Sequence, residues 1–374
     1  MSFVPLPEPK DLLHVEHGDD HLYFHKTPEA VKNDTQSLAN GHSRSHNPAA
    51  ERLQNDENGS LSIQLLTNVN LHAPSLEPVQ EPFDYVCSLK SKNVRNKLVG
   101  GLAQWIPIPA ASCELVASLV SDIHNASLMF DDVQDNSDLR RSSPATHTIF
   151  GMPQTVNSAV YHTVNTIERA SDTENPLILK EVLAGMKTLL AGQGLDLVWT
   201  AETTIPTMEE YLQMIDGKTG ALFIMISNLM FACLPEKAPR PPLRKLMLLL
   251  GRYFQIRDDY INLSLPEYFE SKGFCSDLDE GKCSYIILHA MKHAEPAARS
   301  LLRKIMLQTR RAGSAGERHK QTVLAILERA GSLKHVKEML HAMEDALIAE
   351  IQAVEDLSGV KNPLIRELFN ALRA

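Results

Sequence analysis

Two short acidic segments, far apart in the chain, have residue types suited to holding metal ions. The first is Asp131-Asp132-Val133-Gln134-Asp135, followed by Leu139-Arg140-Arg141. The second is Gln255-Ile256-Arg257-Asp258-Asp259-Tyr260-Ile261-Asn262. Each sets acidic or amide oxygens at i, i+1 and i+4, on one side of an α-helix. Two such faces opposed across a cavity can hold magnesium through oxygen ligands, and the ions can then grip a diphosphate. The chemistry this arrangement suits is departure of a diphosphate from an allylic carbon. An isolated D-D-x-x-D is usually a solvated turn. Here the apolar Phe130, a core-like helix upstream and two arginines downstream argue for a site.

The cations are of matching kinds. Arg140 and Arg141 are fork donors suited to phosphate. His124 lies two turns before Asp131 on the same helical face, and Lys92 and Arg95 share a face further upstream. Lys218-Thr219 precedes Gly220, and Lys272 and Lys282 bracket a loop at 273–281. Taken alone, Lys92 and Arg95 read as an ordinary solvated patch. The glycines of Gly192-Gln193-Gly194-Leu195-Asp196 likewise read as close helix packing. A second set of cations beside a second acidic cluster is what a second diphosphate needs.

The elements that must position these residues are helices. Leu115, Val116, Leu119, Val120 and Ile123 repeat at three and four residues, as do Val336, Met339, Leu340, Met343, Leu347 and Ile351. Gly331-Ser332 can start the second of these helices. No useful alternating run argues for a sheet. Pro and Gly fall between the periodic stretches, for example at 107–109, 151–153, 235–242 and 313–316. The reading is an all-α domain of about ten to twelve helices over residues 76–374. Its first acidic cluster ends a helix that starts near Ala110, and its second ends one that starts near Arg240. Residues 1–75 are rich in Asn, Ser, His, Asp and Pro and read as a disordered polar leader. Its histidines are irregularly spaced, which favours a solvated tail over a metal site.

Composition excludes other classes. A net charge of −9 argues against nucleic acid as a partner. No apolar run is long enough for a membrane span, the stretch 221–234 being broken by Ser227 and Asn228. The first residues, Met1-Ser2-Phe3-Val4-Pro5, lack a basic region followed by an apolar one, so a secretory signal is not expected. The five scattered cysteines suit reduced thiols in a cytoplasmic protein.

Together these stretches resemble the trans-isoprenyl diphosphate synthases, the fungal geranylgeranyl diphosphate synthase group in particular, over about residues 80–374. The chain is also similar to the prenyltransferase halves of fungal chimeric terpene synthases. The resemblance rests on Lys92-x-x-Arg95, 124–132, Leu139-Arg140-Arg141, 192–197, Lys218-Thr219-Gly220, 254–260 and 272–282, in that order. It implies an isoprenoid synthase-type helical bundle around a deep central cavity, with about three magnesium ions per site and a homodimeric assembly. Asp131, Asp135 and Asp258 would bind metal, with Asp132 and Asp259 in support. Arg140, Lys218, Thr219, Gln255, Asn262, Lys272 and Lys282 would hold the allylic diphosphate. Lys92, Arg95, His124 and Arg141 would hold isopentenyl diphosphate. The implied reaction condenses isopentenyl diphosphate with dimethylallyl, geranyl or farnesyl diphosphate.

Product length is expected to depend on what lines the cavity below the metals. One isoprene unit matches about one helical turn, ~5.4 Å. Ser127 and Ala126, one turn before Asp131, are small and admit a product of at least twenty carbons. Thr163, Val164 and Leu190 stand where related enzymes carry bulkier or polar residues, which deepens the floor towards twenty-five carbons. Tyr161 or His162 is the alternative floor. Ser142 replaces a glycine usual after the two arginines, with a local loop effect expected. Because only the short, largely polar segment 1–75 precedes the domain, where the chimeric enzymes carry a cyclase, the chain is not expected to cyclise its own product. A class I terpene cyclase lacks support because its second metal motif is missing. A non-catalytic subunit lacks support because both acidic clusters are present.

Overall fold

The computed structural model describes residues 73–91, 93–264 and 274–373. The polar leader up to residue 72, Lys92 and Lys272 lie outside the described residues.

The described chain is all-α, as its periodicity requires. The helices are α1 (Glu77–Ser88), α2 (Val94–Leu102), α3 (Ala110–Asp135), α4 (Thr146–Phe150), α5 (Met152–Ser171), α6 (Pro176–Glu202) and α7 (Met208–Ile215). A π-helical turn, Asp216–Gly220, joins α7 to α8 (Ala221–Ala232). Next come α9 (Arg244–Ser264), α10 (Ser276–Glu280), α11 (Tyr285–His293), α12 (Pro296–Ala312), α13 (Glu317–Arg329), α14 (Ser332–Ser358) and α15 (Pro363–Leu372). There are more helices than the ten to twelve expected, because stretches such as α4 and α10 form separate single turns. Two further corrections concern α9. It starts after Pro241 and Pro242, which cannot continue a helix, and it runs past the second acidic cluster to Ser264.

The boundaries have local causes. Asn175 caps α6, its Oδ1 accepting from the Leu177 N–H at 3.0 Å, and Pro176 occupies the first turn. Thr207 and Glu210 form a reciprocal capping box on α7. Asn136, at φ 53°, ends α3 just beyond the first acidic cluster. The chain then forms a two-residue antiparallel ladder, β1 (Leu139–Arg140) with β2 (Ser143–Pro144), where no strand was expected. Its turn residues Arg141 and Ser142 have φ of 55° and 65°. Two consecutive positive values are the signature of a type I′ hairpin, which explains why a glycine suits position 142.

Helix α8 is apolar all round and sits at the centre, against α3, α6 and α9. The crossing that assembles the site is made by glycines. A side chain at Gly192 of α6 would fall 2.6 Å from the carbonyl carbon of Gly217 in the π turn. One at Gly251 of α9 would fall 2.6 Å from the Gly220 Cα. Backbone therefore meets backbone among α6, the π turn and α9. That contact brings Gln193 and Asp196, Lys218 and Thr219, and Gln255 to Asp259 to one end of the bundle.

Candidate active site

The two acidic helix faces converge on the same pair of lysines. Lys218 Nζ lies 2.6 Å from Asp196 Oδ2 and 3.4 Å from Asp131 Oδ1. Lys282 Nζ donates to Asp135 Oδ2 at 2.7 Å and also pairs with Glu280. On the side of α9, Lys218, Lys282, Gln255 and Asp259 line one cleft, together with Asp196, Tyr211, Met214, Ile215, Cys283 and Ser284. The π turn gives Lys218 and Thr219 their aim, since an extra residue in a turn rotates the helix beyond it. Gln193 Nε2 reaches from α6 to Asp131 at 3.3 Å and to Gln134 at 2.9 Å, closing the third side.

Asp259 is buried and held at both oxygens. Gln255 Nε2 donates to Oδ1 at 2.8 Å and the Tyr211 hydroxyl donates to Oδ2 at 3.0 Å. Thr219 in turn donates to Gln255 Oε1 at 2.5 Å. Burial pushes the Asp259 carboxyl up to about 6, with Asp258 adding to the rise and the Gln255 and Tyr211 donors opposing it. Burial likewise pushes Asp135 up to about 6 against the pull of Lys282, with Asp131 and Glu280 adding. Burial pulls Lys282 down, but Asp135, Glu280 and Asp131 outweigh it and hold the ammonium well above its ordinary value. The carboxylates of Asp131, Asp135, Asp196, Asp259 and Glu280 surround the two ammonium groups of Lys218 and Lys282, so the site is short of positive charge.

Asp132 points the other way. It is fully buried and receives the Arg140 guanidinium, Nε at 2.8 Å, while Arg140 Nη2 also reaches Asp131 at 3.2 Å. Arg140 thus anchors the first cluster to the hairpin. Asn262 is turned away from the cleft. Its amide donates to Ser276 Oγ at 2.9 Å and its carbonyl accepts from the Asp277 N–H at 3.3 Å, which ties α10 to α9.

A second group is made of basic side chains. Arg95, His124 and Arg141 lie close enough to perturb one another. Burial, then Arg141, lowers Arg95 to about 9. Burial, then Arg95, Arg141 and Arg140, holds His124 neutral. The buried Arg95 Nε has no hydrogen-bond partner among the described residues. Like charges gathered in a buried place suit an anion.

Among the described residues, no three acidic, imidazole or thiol groups already surround a common metal position. The donors nevertheless fit magnesium. They are oxygens only, several are buried, and burial with like charge raises their proton affinity until a cation replaces the proton.

The polyprenyl synthetase family model matches residues 77–326, the span that contains both acidic helices, the π turn and α11. The chain belongs to the polyprenyl synthetase family. It is 47% identical over 299 residues to geranylgeranyl pyrophosphate synthase A of Phomopsis amygdali, covering 80% of this chain and 77% of that one. It is 42% identical over 298 residues to talaropentaene synthase of Talaromyces verruculosus, covering 80% of this chain and 44% of the relative. It is 40% identical over 324 residues to bifunctional sesterterpene synthase astC of Talaromyces wortmannii, covering 84% and 43%. The chain thus spans less than half the length of the latter two.

In this polyprenyl synthetase, the residues expected to set product length lie in different surroundings. Ala126 is buried with Phe83, Val86, Met129 and Ala159 between α1, α3 and α5. Ser127 is exposed, on the face of Asp131, and donates to the His124 carbonyl at 2.8 Å. Thr163 is partly buried and donates to the Ala159 carbonyl at 2.8 Å. Val164 and Leu190 are 58% and 64% exposed. His162 is buried and stacks on Phe83 with ring centroids 3.7 Å apart. Sequence reasoning missed Tyr211, Gly217 and Gly251. Tyr211 belongs to no acidic or cationic cluster, and a glycine in a helix does not say which helix it meets.

Proposed function

We propose that this chain condenses isopentenyl diphosphate with dimethylallyl, geranyl and farnesyl diphosphates to give geranylgeranyl diphosphate for terpenoid biosynthesis. The observation that carries the reading is the convergence of Asp131 and Asp135 on one side, and Asp259 on the other, upon Lys218 and Lys282. Asp131, Asp135 and Asp258 are the magnesium ligands in this reading. The bound metal supplies positive charge to the departing diphosphate. Lys218, Lys282 and Thr219 hold that diphosphate, with Arg140 fixing the first acidic cluster, and Lys272 is assigned with them. Their charges are set in place before the carbon–oxygen bond breaks, so little reorganisation is needed. Arg95, His124 and Arg141, with Lys92, hold isopentenyl diphosphate so that its double bond faces the allylic carbon. The condensed cation then loses a proton, for which the released diphosphate is the acceptor.

A longer product is the second reading. Thr163, Val164 and Leu190 put no aromatic or imidazole ring at the expected floor, and one relative is named a sesterterpene synthase. Purified protein incubated with isopentenyl diphosphate, each allylic primer and magnesium decides between them by product length. Twenty-carbon diphosphate supports the first reading and twenty-five-carbon diphosphate the second. No elongation with any primer would sink both.

A homodimer belongs to the same proposal. Val160 and Val164 on α5, with Leu183, Leu190 and Val198 on α6, form an exposed apolar stripe on adjacent helices. Such stripes usually mark an interface, and a second copy is the expected cover. Val198→Glu should convert the dimer to monomer in sedimentation. An unchanged sedimentation coefficient would argue for another surface.

A further inference from the structure

Ser284 is only 5% exposed, lines the cleft, and its hydroxyl has no hydrogen-bond partner among the described residues. It is the N-cap of α11, with extended backbone at φ −69° and ψ 165°, and its carbonyl accepts from the Leu288 N–H at 3.0 Å. A serine so placed ordinarily turns its hydroxyl back onto a first-turn N–H. Here it does not, and no side chain caps this nine-residue helix. A buried hydroxyl left unpaired is costly, and such a group is retained where a ligand completes it. The cleft it faces also holds Lys218 and Lys282, and a helix N-terminus carries partial positive charge. The same cleft carries the carboxylates of Asp196 and Asp259, so the anion it suits is one that arrives with magnesium, its charge shared between the metal, the two ammonium groups and the helix N-terminus.

Tyr211 stands between the start of α11 and the acidic face of α9, its hydroxyl donating to Asp259 Oδ2 at 3.0 Å. The Tyr211 and Tyr285 rings meet edge to face at 6.0 Å.

We infer that Ser284, with the first turn of α11, is a direct ligand of the allylic diphosphate and of the pyrophosphate it releases. The assignment rests on the prenyl-transfer reading of the cleft. It goes beyond that reading by adding an uncharged donor from an element that carries none of the acidic or lysine motifs.

The test is calorimetric titration of magnesium pyrophosphate into wild type, Ser284→Ala and Ser284→Thr, alongside steady-state kinetics. A hydrogen bond to a charged group implies about 10- to 100-fold weaker pyrophosphate binding for Ser284→Ala. The KM for the allylic substrate should rise in step, while that for isopentenyl diphosphate should stay unchanged. Ser284→Thr should restore most of the affinity. Pyrophosphate binding as tight in Ser284→Ala as in wild type would overturn the assignment, whatever happens to thermal stability. That outcome leaves prenyl transfer standing if wild type elongates its primers. A wild type that neither elongates primers nor binds pyrophosphate would remove both.

Discussion

Asp131 meets a lysine, an arginine and a glutamine amide from three separate segments. Removing its carboxylate leaves Lys218 and Arg140 partly unpaired and takes away a metal ligand. Asp131→Ala is therefore expected to lower kcat by about 100-fold or more, measured by isotope incorporation at saturating magnesium. Ser127 sits one turn earlier on the same face of α3, and its small side chain leaves room below the metals. Ser127→Phe should shorten the product by at least one isoprene unit, read by chromatography of the dephosphorylated alcohols. An unchanged product would mean that the tail does not run along α3. Leu190→His tests the other side, and shortening of a twenty-five-carbon product to twenty would place Leu190 at the floor.

At the scale of elements, the glycine crossing has a built-in control. Gly192 and Gly194 stand two residues apart on α6, yet a side chain at Gly194 meets nothing within 4 Å. Gly192→Ala must push the π turn away and should cost about 1–3 kcal/mol of stability. It should also lower kcat by displacing Lys218. Gly194→Ala should stabilise the helix by up to about 1 kcal/mol and leave kcat unchanged. Urea unfolding and initial rates on the two variants check both halves. Equal effects would mean that the crossing does not set the aim of Lys218. The composition of 192–196 announces close packing but cannot apportion it between its two glycines.

Across the whole molecule, the C-terminal segment locks the bundle through contacts far apart in the chain. Trp105 Nε1 donates to the Val360 carbonyl at 2.9 Å, and Asn362 Nδ2 donates to the Gly101 carbonyl at 2.9 Å. Tyr253 of α9 donates to the buried Glu344 at 2.8 Å, and Arg373 joins the same carboxylate at 3.0 Å. Glu355 receives Arg366 at 2.9 and 2.6 Å and the Asn362 N–H at 2.9 Å. The Arg366 hydrogen bonds, against a smaller opposing effect of burial, hold Glu355 down at about 2. A carboxylate depressed in the folded state stabilises above its unfolded value, about 4.3, and loses that contribution as pH falls through 2. Glu355→Gln should thus be less stable than wild type by about 1–3 kcal/mol at pH 6. The gap should narrow between about pH 4 and pH 2. A gap that is constant with pH would show that Glu355 is not the group responsible.

Residue type and spacing were enough to announce the acidic faces, the cationic partners and an all-helical chain. These are local properties, expressed at three and four residues along one helix. Arg140 on Asp132, Asn262 turned towards α10, Tyr211 under Asp259 and the bare hydroxyl of Ser284 were not legible in this way. The first depends on the hairpin that folds back after α3, and the others on which helices touch and at what distance. That depends on long-range packing through Gly192, Gly217, Gly220 and Gly251, whose contacts are spaced across the chain and leave no periodic trace in it.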